Sequence, residues 1–406
     1  MRVKVKYLRH RSIWAIICLA AGLLLIAASS ELPEHYWQQP SASSTKQHHD
    51  WSDLEKDLRP EACAQCHDSQ FQAWKHSFHA HAYSEGLIGQ FPGMGNHSRG
   101  NNCLVCHAPL KEQQYQSDDD MLESLKIKIR QPEGVNAEAD LEAATVPLRH
   151  TGVSCAVCHV RGLERFGPPR MGSKQTGHIQ TDVHGGFTAN KGFEQSQFCA
   201  SCHQFAQSNA INGKPLENTV KEWQESSFAA KGVTCQVCHM PHRRHEFKGI
   251  HHPAMVRKGL EINVKKSHGV AQIVIHSVGV GHAFPTYVTP KVVVTAIARD
   301  RNNIKVKQWQ WEIIREVRYR AGAWEEARDT RIMPDERRLY RADQAPTTTT
   351  TVQFQVRVIP DAFYRGVYES LLAGTPSEKA ETLLKTALKR THSSEFNLFD
   401  DVVKLH

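Results

Sequence analysis

Ten of the eleven cysteines in this chain fall in five copies of one short pattern. They are Cys63-Ala-Gln-Cys66-His67, Cys103-Leu-Val-Cys106-His107, Cys155-Ala-Val-Cys158-His159, Cys199-Ala-Ser-Cys202-His203 and Cys235-Gln-Val-Cys238-His239. Chance placement of 11 Cys and 25 His gives far less than one copy. C-x-x-C-H is the attachment signature of c-type haem. The two thiols add to the haem vinyl groups, and the adjacent histidine reaches the iron as proximal ligand. A thioredoxin-like pair needs no following histidine. A zinc cage pairs C-x-x-C halves, and five halves leave one over. Disulfides at this spacing would close only tiny loops. The expected cofactors are therefore five c-type haems.

Each iron has a sixth position, and twenty histidines lie outside the motifs. Two histidines saturate an iron and suit it to passing electrons, whereas an open position can bind substrate. Trp74-Lys-His76-Ser-Phe-His79-Ala-His81 carries three candidates. On a helix His76 and His79 share a face, and His79 is the preferred ligand. His184 precedes the fourth motif, and His242, His245, His251 and His252 follow the fifth. His282 lies in Gly279-Val-Gly-His-Ala-Phe-Pro-Thr286, a turn between strand candidates, and His150 shortly precedes the third motif. Met240 directly follows His239 and cannot swing across the same haem.

The elements that must hold these residues divide the chain. Residues 1–30 combine Arg2, Lys4, Lys6, Arg9 and Arg11 with an apolar run from Ile13 to Ala28. That is either a signal peptide cleaved after Ala28 or Ser29 or, by slight preference, an uncleaved transmembrane anchor with its positive end inside. No other run is long enough to cross a bilayer, so a polytopic membrane protein is excluded. Residues 31–50 read as a linker with Pro33 and Pro40. Residues 51–260 form the haem-binding part, with motif starts 40, 52, 44 and 36 residues apart. That is too little chain for a conventional core, so the porphyrins must be the core. Short helices ending at each motif are expected, together with a solvated Asp118-Asp119-Asp120 tip and a surface helix over Glu138–Ala144.

From about Leu260 the texture changes. Leu260–Val264, Ala271–Ile275, Lys291–Ala298, Lys305–Tyr319 and Thr347–Val358 read as strands, with a hairpin turn at Arg299–Asn303. Residues 261–406 are expected to form an antiparallel sandwich with a C-terminal helix. Thr375-Pro376-Ser377-Glu378 reads as its capping box, and Leu383, Leu384, Ala387 and Leu388 as one apolar face. The fold class is thus an α and irregular, haem-packed pentahaem domain followed by an all-β sandwich.

The formal charge of +8 misleads. Five positive charges belong to the N-terminal segment, and each ferric haem with two axial His and two ionised propionates adds about −1. A basic surface for nucleic acid is not implied. No basic stripe with interleaved aromatics is present either.

Several stretches resemble one family. Trp74-x-x-Ser77-x-His79-Ala80, Cys103-Leu-Val-Cys106-His107-Ala-Pro109, Gly232-Val-Thr-Cys-Gln-Val-Cys-His239-Met-Pro241, Gly281-His282-Ala-Phe-Pro-Thr286 and Asp329-Thr-Arg-Ile-Met-Pro334 are similar to the cytochrome c-554-like multihaem cytochromes. Those are relatives of the hydroxylamine-oxidoreductase haem proteins, and the likeness covers roughly residues 51–370. It implies closely stacked haems, mostly with two axial His, and electron transfer in periplasmic respiration. Matching positions imply His79, His184, His245, His251 and His282 as distal ligands. All five motifs here end in His, unlike the Lys at the catalytic motif of related pentahaem nitrite reductases. The hydroxylamine oxidoreductases carry eight haems.

The main reading is an electron carrier, not an enzyme. Its donor would be a membrane quinol-linked protein and its acceptor a periplasmic or outer-surface redox protein. The location would be the periplasmic side of the cytoplasmic membrane or the soluble periplasm. The alternative is a haem oxidoreductase for a nitrogen or sulfur oxyanion, with Arg165, Arg170, Arg243 or Arg244 near an open iron. The bland role for those arginines is pairing with haem propionates. Intact-mass spectrometry is expected to find five haem additions, and a smaller count would disqualify a motif.

Overall fold

A computed structural model describes residues 32–405, apart from 39, 43–47, 131–146 and 182. The apolar N-terminal segment, Cys18 and the expected helix over Glu138–Ala144 lie outside the described residues. No helix among the described residues is long and apolar enough to cross a membrane.

The N-terminal half is helical and loop-rich. Its principal helices are α1 (Pro60–Trp74), α2 (His97–His107), α3 (Asp118–Arg130), α4 (Cys155–His159), α5 (Ala200–His203), α6 (Thr219–Gln224), α7 (Cys235–His239) and α8 (Pro253–Gly259). Four of these end at a motif histidine, as expected. In α1 the backbone breaks at His67 (φ −118°, ψ 42°) and the helix then continues to Trp74. The reason is geometric. Positions i, i+3 and i+4 of a helix lie on one face, so one turn presents both thiols and the imidazole to the same side. Asp118, Asp119 and Asp120 form the first turn of α3, where the helix dipole favours acids, rather than a loop tip.

The C-terminal half is a sandwich of two antiparallel sheets. Strands β1 (Leu260–Ser267), β2 (Val270–Ser277), β3 (Lys291–Asp300), β4 (Lys305–Ile313), β5 (Arg315–Arg320), β6 (Ala323–Asp329), β7 (Arg337–Arg341) and β8 (Thr349–Ile359) come first. Helices α9 (Ala362–Ala373) and α10 (Glu378–Ser393) and strand β9 (Phe396–Lys404) follow. One sheet runs β7-β2-β1 and the other β9-β8-β3-β4, with β5-β6 a separate hairpin. Ile273 and Ile275 of the first sheet pack with Val294, Ala296, Phe354 and Val356 of the second, all fully buried. The alternation in these strands sends one face to that core. At the expected hairpin turn, Asp300 Oδ1 accepts the backbone N–H groups of Asn302 and Ile304, both at 2.9 Å.

Three elements differ from expectation. The stretch Lys305–Tyr319 is two strands, broken at Ile314. The cap of α10 is Ser377, whose hydroxyl accepts the Ala380 N–H, so Pro376 lies outside the helix. The strand Phe396–Lys404 is an addition that pairs with β8.

Contacts of two kinds illustrate how the halves are held together. Gly86 lies so close to α9 that a Cβ there would meet the Tyr368 hydroxyl at 2.0 Å. Arg315 has a fully buried side chain that ion-pairs with Glu326 at 2.8 Å. Its remaining N–H groups donate to the carbonyls of Pro215, Lys214 and Ile211. One guanidinium thus fixes the loop before α6 onto the β5-β6 hairpin. Arg315→Met removes the buried cation from Glu326, which keeps Lys214 at 3.3 Å and Asn212 at 2.8 Å, and takes the guanidinium donors from the carbonyls of Pro215, Lys214 and Ile211. A loss of about 3 kcal/mol is expected, the low end for a broken buried pair, read as a lowered urea midpoint of the holoprotein.

Candidate functional site

All ten described cysteines are free thiols, standing where thioether sulfurs would be. They come together between motifs. Hydrogen-bonded thiol pairs join Cys63 to Cys155, Cys106 to Cys202 and Cys199 to Cys235. Cys158 also acts electrostatically on Cys199, and Cys202 on Cys158. Motif 1 therefore adjoins motif 3, motif 3 adjoins motif 4, and motifs 2 and 5 both adjoin motif 4.

Three motif histidines face a second imidazole. His203 and His79 have ring centres 6.2 Å apart, His159 and His245 6.1 Å, and His239 and His282 6.4 Å. These distances are too long for stacking and too regular for chance. A metal–nitrogen bond of about 2.0 Å, plus roughly 1.1 Å from nitrogen to ring centre, places two opposed imidazoles on one metal about 6.2 Å apart. The three pairs fit an iron between them. Among the described residues, no second imidazole stands at this spacing from His67 or His107.

The rings are also held in the right sense. Nδ1 of His107 faces the Ala82 carbonyl at 3.0 Å, that of His159 Phe166 at 2.7 Å, and that of His239 Lys248 at 2.6 Å. His245, His282 and His184 do the same with the carbonyls of Arg243, Ala283 and Gly186. An Nδ1–H donated to a carbonyl leaves Nε2 with a lone pair, the usual arrangement of a metal-bound imidazole. Burial pushes His79 down to about 3, and His159, His203 and His282 to about 4. These rings are neutral at physiological pH, the form that binds metal.

His203 is exposed although burial lowers its pKa. Phe78 is 53% exposed and Val237, inside the fifth motif, 57%. These are apolar surfaces that a bound porphyrin would cover. Nη1 of Arg165 and Nη2 of Arg161 are buried with no hydrogen-bond partner. Buried guanidinium donors call for an acceptor, and a haem propionate is a suitable one. The residues present fit haem.

The other expected residues are placed as follows. The His184 backbone N–H donates to the Glu55 carboxylate. Arg165 donates to the Glu55 carbonyl and acts on the Cys63 thiol, so His184 lies on the side of motif 1. His251 is not paired with a motif histidine. Its Nε2 lies 3.0 Å from both Asp361 carboxylate oxygens. His150 stacks on Tyr83 at 4.7 Å, and neither of its nitrogens has a partner. Arg243 binds Glu194 and the Pro169 carbonyl, and Arg244 pairs with Glu246. Arg170 lies over the Phe187 ring.

Sequence reasoning missed the residues that aim His282. Glu222 of α6 accepts the Ala283 N–H at 3.2 Å and pairs with Arg331 at 3.0 Å. Arg331 also pairs with Asp329 at 2.9 Å. This buried network ties the turn of the β part to the haem-binding part. The only signal in the sequence was the Asp329–Pro334 stretch, whose role was not evident from its residues.

Residues 81–252 match the family model described as "Outer membrane cytochrome MtrC/MtrF-like, domains II/IV". The chain is a multihaem cytochrome. Among solved structures it is similar to a penta-heme cytochrome c552 from Thermochromatium tepidum, with 20% identity and a TM-score of 0.55. The match covers 87% of this chain and all of that one. No curated protein matches it. For this cytochrome, haem should be structural as well as redox-active. Prepared without haem attachment, the chain is expected to lose residues 51–250 to limited proteolysis, while a fragment near residues 260–405 resists. Equal resistance of both parts would show that the motif region has a core of its own.

Proposed function

We propose that this chain is a pentahaem electron carrier working outside the cytoplasmic membrane. The carrying observation is the set of three imidazole pairs at 6.1–6.4 Å. Bound haem would supply a one-electron iron couple at each motif. The protein residues do the rest. His79, His245 and His282 complete the ligand sets of motifs 4, 3 and 5, and His184 that of motif 1. Two fixed imidazoles on one iron would let it change oxidation state with little rearrangement. The contacting thiol pairs put neighbouring sites edge to edge, giving a route from motif 1 through motif 3 to motif 4. From there it branches to motifs 2 and 5. The similar solved structure is a penta-heme cytochrome, which supports the count of five.

The donor in this reading is a membrane quinol-linked protein and the acceptor a periplasmic or outer-surface redox protein. Electron paramagnetic resonance of the oxidised protein tests the ligand sets. Motifs 1, 3, 4 and 5 are expected to give low-spin signals. His282→Ala should convert one low-spin haem to high-spin and leave the other signals in place. An unchanged spectrum would remove His282 from the ligand set.

A further inference from the structure

A short hairpin follows motif 3 directly, with Val160 paired to Arg165 and Arg161 to Glu164. Its Phe166 carbonyl faces the His159 ring at 2.7 Å. Neighbouring strand positions point to opposite faces, so Arg161 and Arg165 leave the hairpin on opposite sides. Each meets a tryptophan from the stretch between the apolar run and motif 1. The Arg165 guanidinium lies 4.2 Å over the Trp51 ring. That of Arg161 lies 5.0 Å over Trp37 and 4.0 Å over Tyr36.

Both tryptophans are fixed in place. Trp51 is 4% exposed, and its ring stacks on His48 at 4.2 Å with 10° between the planes. Trp37 stands edge-on to Phe198, the residue before motif 4, at 4.8 Å. The backbone nearby is tied down as well. Arg161 Nε donates to the Tyr36 carbonyl at 2.6 Å, and the Tyr36 hydroxyl donates to the Cys158 carbonyl. The Ser41 N–H donates to the Pro109 carbonyl at 2.8 Å, and the Gly162 N–H to the Ala42 carbonyl at 3.0 Å.

The same two donors are left over in each stack. Among the described residues, Trp51 Nε1 and Arg165 Nη1 have no hydrogen-bond partner, nor have Trp37 Nε1 and Arg161 Nη2, and all four atoms are buried. Indole and guanidinium N–H groups can only donate. Enclosing two of them together without an acceptor is costly. The first stack stands on the side of motif 1. Arg165 donates to the Glu55 carbonyl and the His184 N–H to the Glu55 carboxylate, and a Cβ on Gly185 would lie 4.0 Å from Trp51 Nε1. The second stands at motif 3, through Tyr36 and Cys158.

We propose that the two stacks are carboxylate grips, in which Trp51 and Arg165 hold a propionate of the haem at motif 1, and Trp37 and Arg161 one of the haem at motif 3. This deepens the carrier reading and rests on haem attachment at those motifs. An arginine is the ordinary partner of a propionate. Here a ring face fixes the guanidinium, and the indole adds a second donor that carries no charge. Donors spread the negative charge of a carboxylate and ease the addition of an electron to the iron beside it. The tryptophans thereby help to set the potentials of two of the five haems.

Redox potentiometry of the holoprotein is the test. Trp51→Phe keeps the stacked ring and removes the N–H. One midpoint of the five is expected to fall by roughly threefold in its reduction equilibrium, a fraction of one charge-assisted hydrogen bond, or about 30 mV for one electron. Arg165→Gln should lower the same midpoint by roughly tenfold, or about 59 mV. Trp37→Phe should lower a different midpoint, and the double tryptophan variant both. Five unchanged midpoints overturn the grips, and so do one midpoint moved by both variants or all five moved together. A free anion is the rival acceptor. A wild-type midpoint that shifts with added chloride at constant ionic strength, and no longer does so in Trp51→Phe, overturns the propionate assignment. Where a variant fails to fold, infrared redox-difference spectra of the wild type with isotope-labelled haem carboxyls decide. Some labelled carboxylate bands should hold their position at first in heavy water, because buried donors exchange slowly, and an immediate shift of every band overturns the grips. A haem missing from the intact mass would instead count against attachment, and loss of the low-spin signals against the carrier reading.

Discussion

The facing imidazoles at just over 6 Å organise the first half of the molecule. Held at that distance, two rings cannot touch, and the space between them must be filled. The surrounding chain is built around this demand. Helices of one turn are too short to be stable alone, yet they recur at the motifs because one turn is all that three ligating side chains need. Backbone carbonyls orient the rings, and apolar side chains such as Phe78 and Val237 stay exposed. The hydrophobic clusters of this half are small.

The β part solves a different problem. Its core is an ordinary sandwich, made from β-branched residues of two sheets, and needs no cofactor. Its role toward the haem-binding part is positional. The Glu222–Arg331–Asp329 network brings the His282 turn to the fifth motif, and Arg315 clamps the loop before α6. Buried ion pairs are weak contributors to stability but strict about geometry, which suits the proposed role of His282, since an iron ligand is placed to within tenths of an ångström.

Much of this was legible in the residues themselves. The five motifs were, because haem attachment requires two cysteines and a histidine at fixed spacing. The change to a period of two after Leu260 marked the sandwich, because a half-buried strand must alternate. Distal ligation was less legible. A sixth ligand is one histidine with no local pattern, so His79, His245 and His282 could be proposed but not paired with a motif. His251 looked equivalent to His245 until Asp361, over a hundred residues away, was seen against it. The strand Phe396–Lys404 was hidden by Asp400 and Asp401, which break its alternation. Asp400 faces Gln353 and Gln355 across an edge strand, where a charge also discourages pairing with other chains.

The ligand pairs have a consequence for how the molecule is put together. In the proposed ligation each pair, with an iron between, would close a loop in the chain: 79 to 203, 159 to 245, and 239 to 282. The second loop overlaps both of the others, so the three are interlaced like links rather than strung in a row. Cross-links of this kind cut the freedom of the unfolded chain, much as disulfides do. They also forbid completion in simple order from the N-terminus. The fourth motif can be finished by a residue already behind it, but the third must wait for residue 245 and the fifth for residue 282. A chain emerging across a membrane would hold half-ligated irons until the first β-strands arrived, and the sandwich would close the last link.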